Sequence, residues 1–286
     1  MDGADRQGGG ESERGHGLAL VAASKYATCM LAILTEHDLK KCWRIPFCYL
    51  CGKSFAAGQP KNRDHVPPNS IFAKDDQVQP LILPTHRRCN AENSPYDEQI
   101  GQLVAVIHGK YPDPKSMKLT VGAVNVTGSD VPAAFVKNLQ FQRIVFRWLR
   151  AFHAALYGQY LPSCGGYIHP PFPEFDDLPG RSEQSVRLYV ETVKQNRVSK
   201  TIDTIVCRNG KCRYECFWSH TDDGRPMCVF ALDIYGWSRL GDVHHYPQRS
   251  CVGSYMPPEG IPPSASRATT LVFPFANRDA LDAFAD

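Results

Sequence analysis

Apolar and polar positions change their period several times along these 286 residues. Residues 1–17 hold glycines and charges with almost no apolar side chain, a composition that predicts a disordered tail. From Leu18 to Trp43 the spacing fits a helix, broken by Lys25 and polar residues, so it does not predict a membrane span. A start of translation at Met30 is an alternative reading of this end. Leu81 to Pro84 predicts a short apolar strand. Ser94-Pro95-Tyr96-Asp97 predicts the start of a helix, with Ser94 as N-cap, Pro95 in the first turn and Asp97 at the positive end of the dipole. Gly109 marks its end.

Lys118 to Val126 then reads as a strand. Asp130 and Pro132 predict the opening of the longest helix, over 133–157, with Leu139, Ile144, Phe146, Trp148, Phe152 and Leu156 spread round much of its cylinder. Such a helix belongs in a core. Arg143, Arg147 and Arg150 form a stripe on it, read first as a solvated face and second as a phosphate-contacting one. The proline- and glycine-rich 161–180 reads as a linker or irregular loop pack. Period-2 patterning follows at 186–193, 201–207, 211–218 and 227–234, with Asn209-Gly210 as a type I′ hairpin turn. A strand at 270–275 and a short helix capped by Asn277 close the chain.

A 43% hydrophobic and 21% charged composition is that of a soluble globular protein, and a net charge of +3 permits a nucleic-acid partner without arguing for one. The distribution says more. Lys40, Lys41, Arg44, Lys53, Lys61, Arg63, Lys74, Arg87 and Arg88 crowd one stretch, opposed there mainly by Asp64, Asp75 and Asp76. Eleven cysteines, an odd number, behind an acidic N-terminus argue for a reducing compartment with metal or free thiols, and the expected location is cytoplasmic.

Two pairs of equal spacing, Cys48-x-x-Cys51 and His86-x-x-Cys89, supply the four N/S ligands that tetrahedral zinc requires. Between them Asp64-His65 sets a carboxylate beside an imidazole, the chemistry of a metal ligand and a general base. Pro67 and Pro68 keep this pair out of a helix. Cys207, Cys212, Cys216 and Cys228 read first as buried thiols and second as another zinc site, because a hairpin turn would set Cys207 opposite Cys212 with Cys216 on the same face.

The order Cys48-x-x-Cys51, Asp64-His65-Val66-Pro67, His86-x-x-Cys89-Asn90 resembles the HNH endonuclease family over about residues 46–98. His86 stands where that family usually has cysteine. Leu81 stands where many members place a middle asparagine, with Asn69 and Asn93 as nearby substitutes. The resemblance implies an α+β protein: a ββα-metal, treble-clef core with a zinc knuckle over 18–110, N-terminal extension included. Residues 111–286 would then be an accessory region, helical at first and mainly antiparallel β afterwards, shaping the cleft or contacting a protein partner. It further implies hydrolysis of DNA, most simply duplex, leaving 5′-phosphate and 3′-hydroxyl ends. Asp64 and Asn90 would hold Mg²⁺ or Mn²⁺, His65 would be the base, and Arg63, Arg87 and Arg88 would meet the nucleic acid. The alternatives are a zinc-braced nucleic-acid-binding module without catalysis and an HNH-type RNase.

Overall fold

The computed structural model describes residues 31–107, 115, 117–125, 132–162, 165–169, 191–193, 195–196, 198, 202–220, 226–234, 251–256 and 269–274. The expected tail, residues 18–30, the stop at Gly109, residues 186–190 and the helix capped by Asn277 lie outside them. The chain is α+β with a mixed sheet. Its N-terminal half runs β1 (Ala32–Ile33), α1 (Glu36–Lys41), β2 (Asn62–His65), β3 (Ile82–Thr85), α2 (Arg87–Ala91) and α3 (Ser94–Ile107). There follow β4 (Thr120–Asn125), β5 (Pro132–Leu139), α4 (Phe141–Tyr157), β6 (Gly165–His169), β7 (Asp203–Cys207), β8 (Cys212–His220), β9 (Pro226–Ile234), β10 (Cys251–Met256) and β11 (Thr269–Pro274).

One sheet has the order β1-β7-β8-β9-β10-β6, a second β11-β5-β4, and β2 and β3 form an antiparallel hairpin. The period-2 stretches at 203–234 become β7 to β9 with Cys207 opposite Cys212, as expected. Asn209 and Gly210 sit at the centre of the turn with positive φ, at 50° and 80°, and the Lys211 amide donates to Arg208 O at 3.0 Å across it; Arg208 is left-handed as well, at φ 56°. A left-handed arginine persists where contacts over-determine it. Here the Arg208 amide donates to Gln79 O at 2.9 Å, and its guanidinium donates to Pro67 O at 3.1 Å and Asn69 Oδ1 at 2.6 Å.

Four expectations change. Residues 133–139 are not the first turns of the long helix but strand β5, between β4 and β11. Cross-strand partners on both edges outweigh local helix propensity, and Asn138 at φ 66° precedes the helix that starts at Phe141. The loop expected over 161–180 contains β6, paired with β10. Its glycine is a packing requirement, since a Cβ on Gly166 would lie 2.3 Å from Ser254 O. Residues 191–193, expected as the end of a strand, are helical. In 31–44 the helix starts only at Glu36, capped by Thr35 Oγ1 accepting from the Asp38 amide, whereas Ala32–Ile33 joins β7 in parallel.

Among the described residues one hydrophobic cluster joins buried side chains from Ile33 in the N-terminal elements to Tyr255 in the C-terminal sheet, and a smaller one gathers Val193, Ile202, Phe217, Val229, Ala231 and Val252. Helix α4 runs through the first. Phe152 stacks on Tyr214 of β8 with ring centroids 4.5 Å apart, while Ile144, Val145, Trp148 and Leu149 are buried nearer its start. Among the described residues no helix is long and apolar enough to cross a membrane.

Candidate metal centre and a buried ion network

Gly52, in the left-handed region at φ 72°, closes the turn that lets two cysteines converge. Its amide and that of Cys51 donate to Cys48 O, and the Cys48 amide donates to Lys53 O. Strand β3 ends at Thr85, so His86 precedes α2 and Cys89 lies one turn into it. The ligand atoms of Cys48, Cys51, His86 and Cys89 all lie within 4.8 Å of one another. His86 Nδ1 faces Cys51 Sγ at 3.3 Å, the His86 amide reaches Cys48 Sγ at 3.4 Å, and the Phe55 ring packs on the imidazole at 4.8 Å.

This donor set fits a metal ion such as zinc. Burial pushes the Cys89 thiol up to about 12, and the crowding of Cys48 and Cys51 adds to it. Three thiolates this close need a cation beside them, and bound zinc would supply it and tie the knuckle to α2. It is the one such group among the described residues. Cys207, Cys212, Cys216 and Cys228 are each buried in the C-terminal sheet but do not form a second one.

Strand alternation separates the Asp64-His65 pair. Asp64 faces inward and is 3% exposed; His65 is half-buried on the side that also carries the exposed Arg63. Burial lowers the His65 pKa, and the Arg208 and Arg63 charges lower it further against the opposing pull of Asp64. The neutral imidazole, the form that accepts a proton, is thus favoured at neutral pH.

Asp64 meets a guanidinium. Arg147 Nη2, from the middle of α4, donates to Asp64 Oδ1 at 2.8 Å and Oδ2 at 2.7 Å, and lies 3.4 Å from Asn90 Oδ1. Its Nη1 donates to Asp97 Oδ1 at 2.5 Å, its Nε lies 3.4 Å from the Tyr49 hydroxyl, and that hydroxyl donates to Asp64 Oδ2 at 2.5 Å. Burial opposes the charge on Arg147, but the Asp64 and Asp97 carboxylates outweigh it and hold the group firmly protonated. A divalent ion held by Asp64 and Asn90 does not fit this arrangement. A hard cation needs carboxylate and amide oxygens at about 2.0–2.6 Å, and these oxygens already face a positive nitrogen.

Asn69 and Asn93 are also committed elsewhere: Asn69 Oδ1 accepts from Arg208, and Asn93 Nδ2 donates to Cys89 O at 2.8 Å. Arg63, Arg87 and Arg88 are exposed, with Arg88 paired to Glu92 at 2.9 Å. Arg147 is 5% exposed, so the arginine stripe on α4 is not a solvated face. Arg143 is exposed and packs over the Tyr96 ring at 4.3 Å, and Arg150 is half-buried.

The network that Tyr49, Asp97 and Arg147 form round Asp64 is not legible in the sequence, where Asp97 reads as a helix-start charge and Arg147 as part of a stripe. The available signal was a charge between Phe146 and Trp148 in the most apolar stretch of α4, which reads as a solvated face until the helix is placed. No family model, curated protein or solved structure matches the chain.

Proposed function

We propose that the protein binds nucleic acid through a zinc-braced hairpin–helix module of the HNH type. The observation that carries this reading is the exposed basic set round the metal centre: Lys53, Lys61, Arg63, Arg87 and Arg88 lie on the knuckle, at the hairpin and on α2. Phosphates are met by such side chains, and zinc keeps the short elements that present them in place. Duplex DNA is the partner that the HNH resemblance favours, with RNA as the alternative. Fluorescence anisotropy of the zinc-loaded protein with labelled duplex DNA and with RNA, over a salt series, tests it. Binding should weaken steeply with salt. Affinity unchanged on replacing Arg63, Arg87 and Arg88 together by alanine would sink the reading.

A second reading, phosphodiester cleavage with His65 as general base, is favoured by the placement of His65 beside Arg63 and by its neutral form at neutral pH. His65 would take a proton from the water attacking the scissile phosphorus, the bond from phosphorus to the 3′-oxygen would break with that oxygen protonated from solvent, and Arg63 would face the phosphate. Plasmid and RNA cleavage by wild type and His65→Ala at equal zinc content, with and without Mg²⁺ or Mn²⁺, separates the readings. Cutting that survives in the variant removes His65 from the chemistry; no cutting by either protein leaves the binding module.

A further inference from the structure

We propose that Arg147 is the resident cation of this module, its guanidinium taking the seat between Asp64 and Asn90 that a divalent ion would need. Whatever the module does with a phosphate, it then does without Mg²⁺ or Mn²⁺ at Asp64.

Three observations carry this. The first is position: Nη2 touches both oxygens of Asp64 and faces the side-chain oxygen of Asn90, the two residues that the motif order brings together from β2 and α2. A divalent ion on the same oxygens would lie within contact distance of the guanidinium, with like charges facing each other at low dielectric. The second is saturation. All three guanidinium nitrogens are engaged, by Asp64 and Asn90, by Asp97 and by the Tyr49 hydroxyl. The third is anchorage. Arg147 projects from the middle of α4, whose neighbouring Ile144, Trp148 and Ala151 are buried, so its head cannot swing into water while the helix stays packed.

The arrangement also explains why Asp64 can be buried at all. A carboxylate out of water needs a fixed counter-charge, and a planar guanidinium supplies one with directed hydrogen bonds. With the guanidinium gone, Asp64, Asp97 and Asn90 would present hard oxygen donors, the type that takes Mg²⁺ or Mn²⁺.

The test uses Mn²⁺ itself and needs no nucleic acid, so its failure is distinct from failure of the binding reading. Full-length, zinc-loaded protein is titrated with Mn²⁺, and free ion is followed by its electron paramagnetic resonance signal, with zinc content measured before and after. Wild type and Asn90→Ala, which keeps the Asp64–Arg147 pair, should titrate identically, with no saturable uptake. Arg147→Met, of similar length and without charge, should take up about one Mn²⁺ more than wild type, and Arg147→Met with Asp64→Asn should lose it. Saturable uptake by wild type that Asn90→Ala weakens would overturn the proposal. A folded, zinc-loaded Arg147→Met protein that takes up no additional Mn²⁺ would overturn it too, because Asp64, Asp97 and Asn90 would then be no cation seat. Should Arg147→Met fail to fold, Arg147→Met with Asp97→Asn removes one carboxylate together with the guanidinium, and the wild-type comparison with Asn90→Ala stands on its own.

Discussion

The hydroxyl of Tyr49, one residue past Cys48 of the Cys/His cluster, lies 2.5 Å from Oδ2 of Asp64. The Cys/His knuckle and the buried ion network are therefore built on the same short turn. Displacing the knuckle moves the donor that Asp64 relies on, and with it the surroundings of Arg147.

Loss of a knuckle ligand should accordingly reach beyond the metal. Cys51→Ser is expected to abolish stoichiometric zinc and to loosen the hairpin–helix unit, because ligation in small zinc modules contributes on the order of 10 kcal/mol to folding. Zinc content by mass spectrometry and amide exchange over 46–98 check this. Native-like exchange protection in a zinc-free variant would contradict it.

The Asp64–Arg147 pair should behave as a buried pair does. Asp64→Asn and Arg147→Met are each expected to destabilise by about 3–5 kcal/mol, because each leaves a partner without its counter-charge. The double variant should fall well short of the sum. Urea unfolding of the four proteins closes the cycle, and additive losses would show that the pair is not coupled.

Tyr49→Phe is a finer probe of the same network. It removes one hydroxyl and keeps the ring, so about 1–3 kcal/mol should be lost, with zinc content unchanged. A thermal scan with zinc analysis separates this from damage to the knuckle.

His153 gives the pH dependence a sign. Burial lowers its pKa to about 4, and the ring is 7% exposed, with Nδ1 3.2 Å from the Tyr255 hydroxyl and Trp218 and Tyr157 against it. Between that value and the unfolded pKa near 6.5 the unfolded chain binds a proton that the folded protein does not. The stability is fully present above pH 6.5 and is lost as pH falls toward 4. From pH 7 to pH 5 this group should cost about 2 kcal/mol. Urea unfolding of wild type and His153→Gln at both pH values checks it, the variant showing the smaller drop.

Gly52 is constrained twice, by φ 72° and by the Tyr160 ring, whose Cδ1 would lie 2.6 Å from an added Cβ. Gly52→Ala should lower stability by about 1–3 kcal/mol. Adding Tyr160→Ala should recover only part of that loss, since the backbone strain remains. Full recovery in a melting experiment would show that the contact alone decides.

Residue spacing determined the Cys/His cluster. Two ligand pairs with matching gaps meet wherever a turn and a helix start bring them within reach, and that depends on local geometry already written in Gly52 and in the end of β3. Period-2 alternation likewise determined β7 to β9, because which side chains share a face of a strand is a property of the strand itself. Tertiary structure decided the rest. Residues 133–139 became a strand because β4 and β11 offered backbone partners on both sides, which no local pattern contains. Arg147 meets Asp64 across 83 residues of sequence, and only the packing of α4 against the hairpin unit turned a charge that reads as solvated into a buried counter-ion. The sequence places Asp64 and Asn90 near each other; long-range packing decides which cation stands between them.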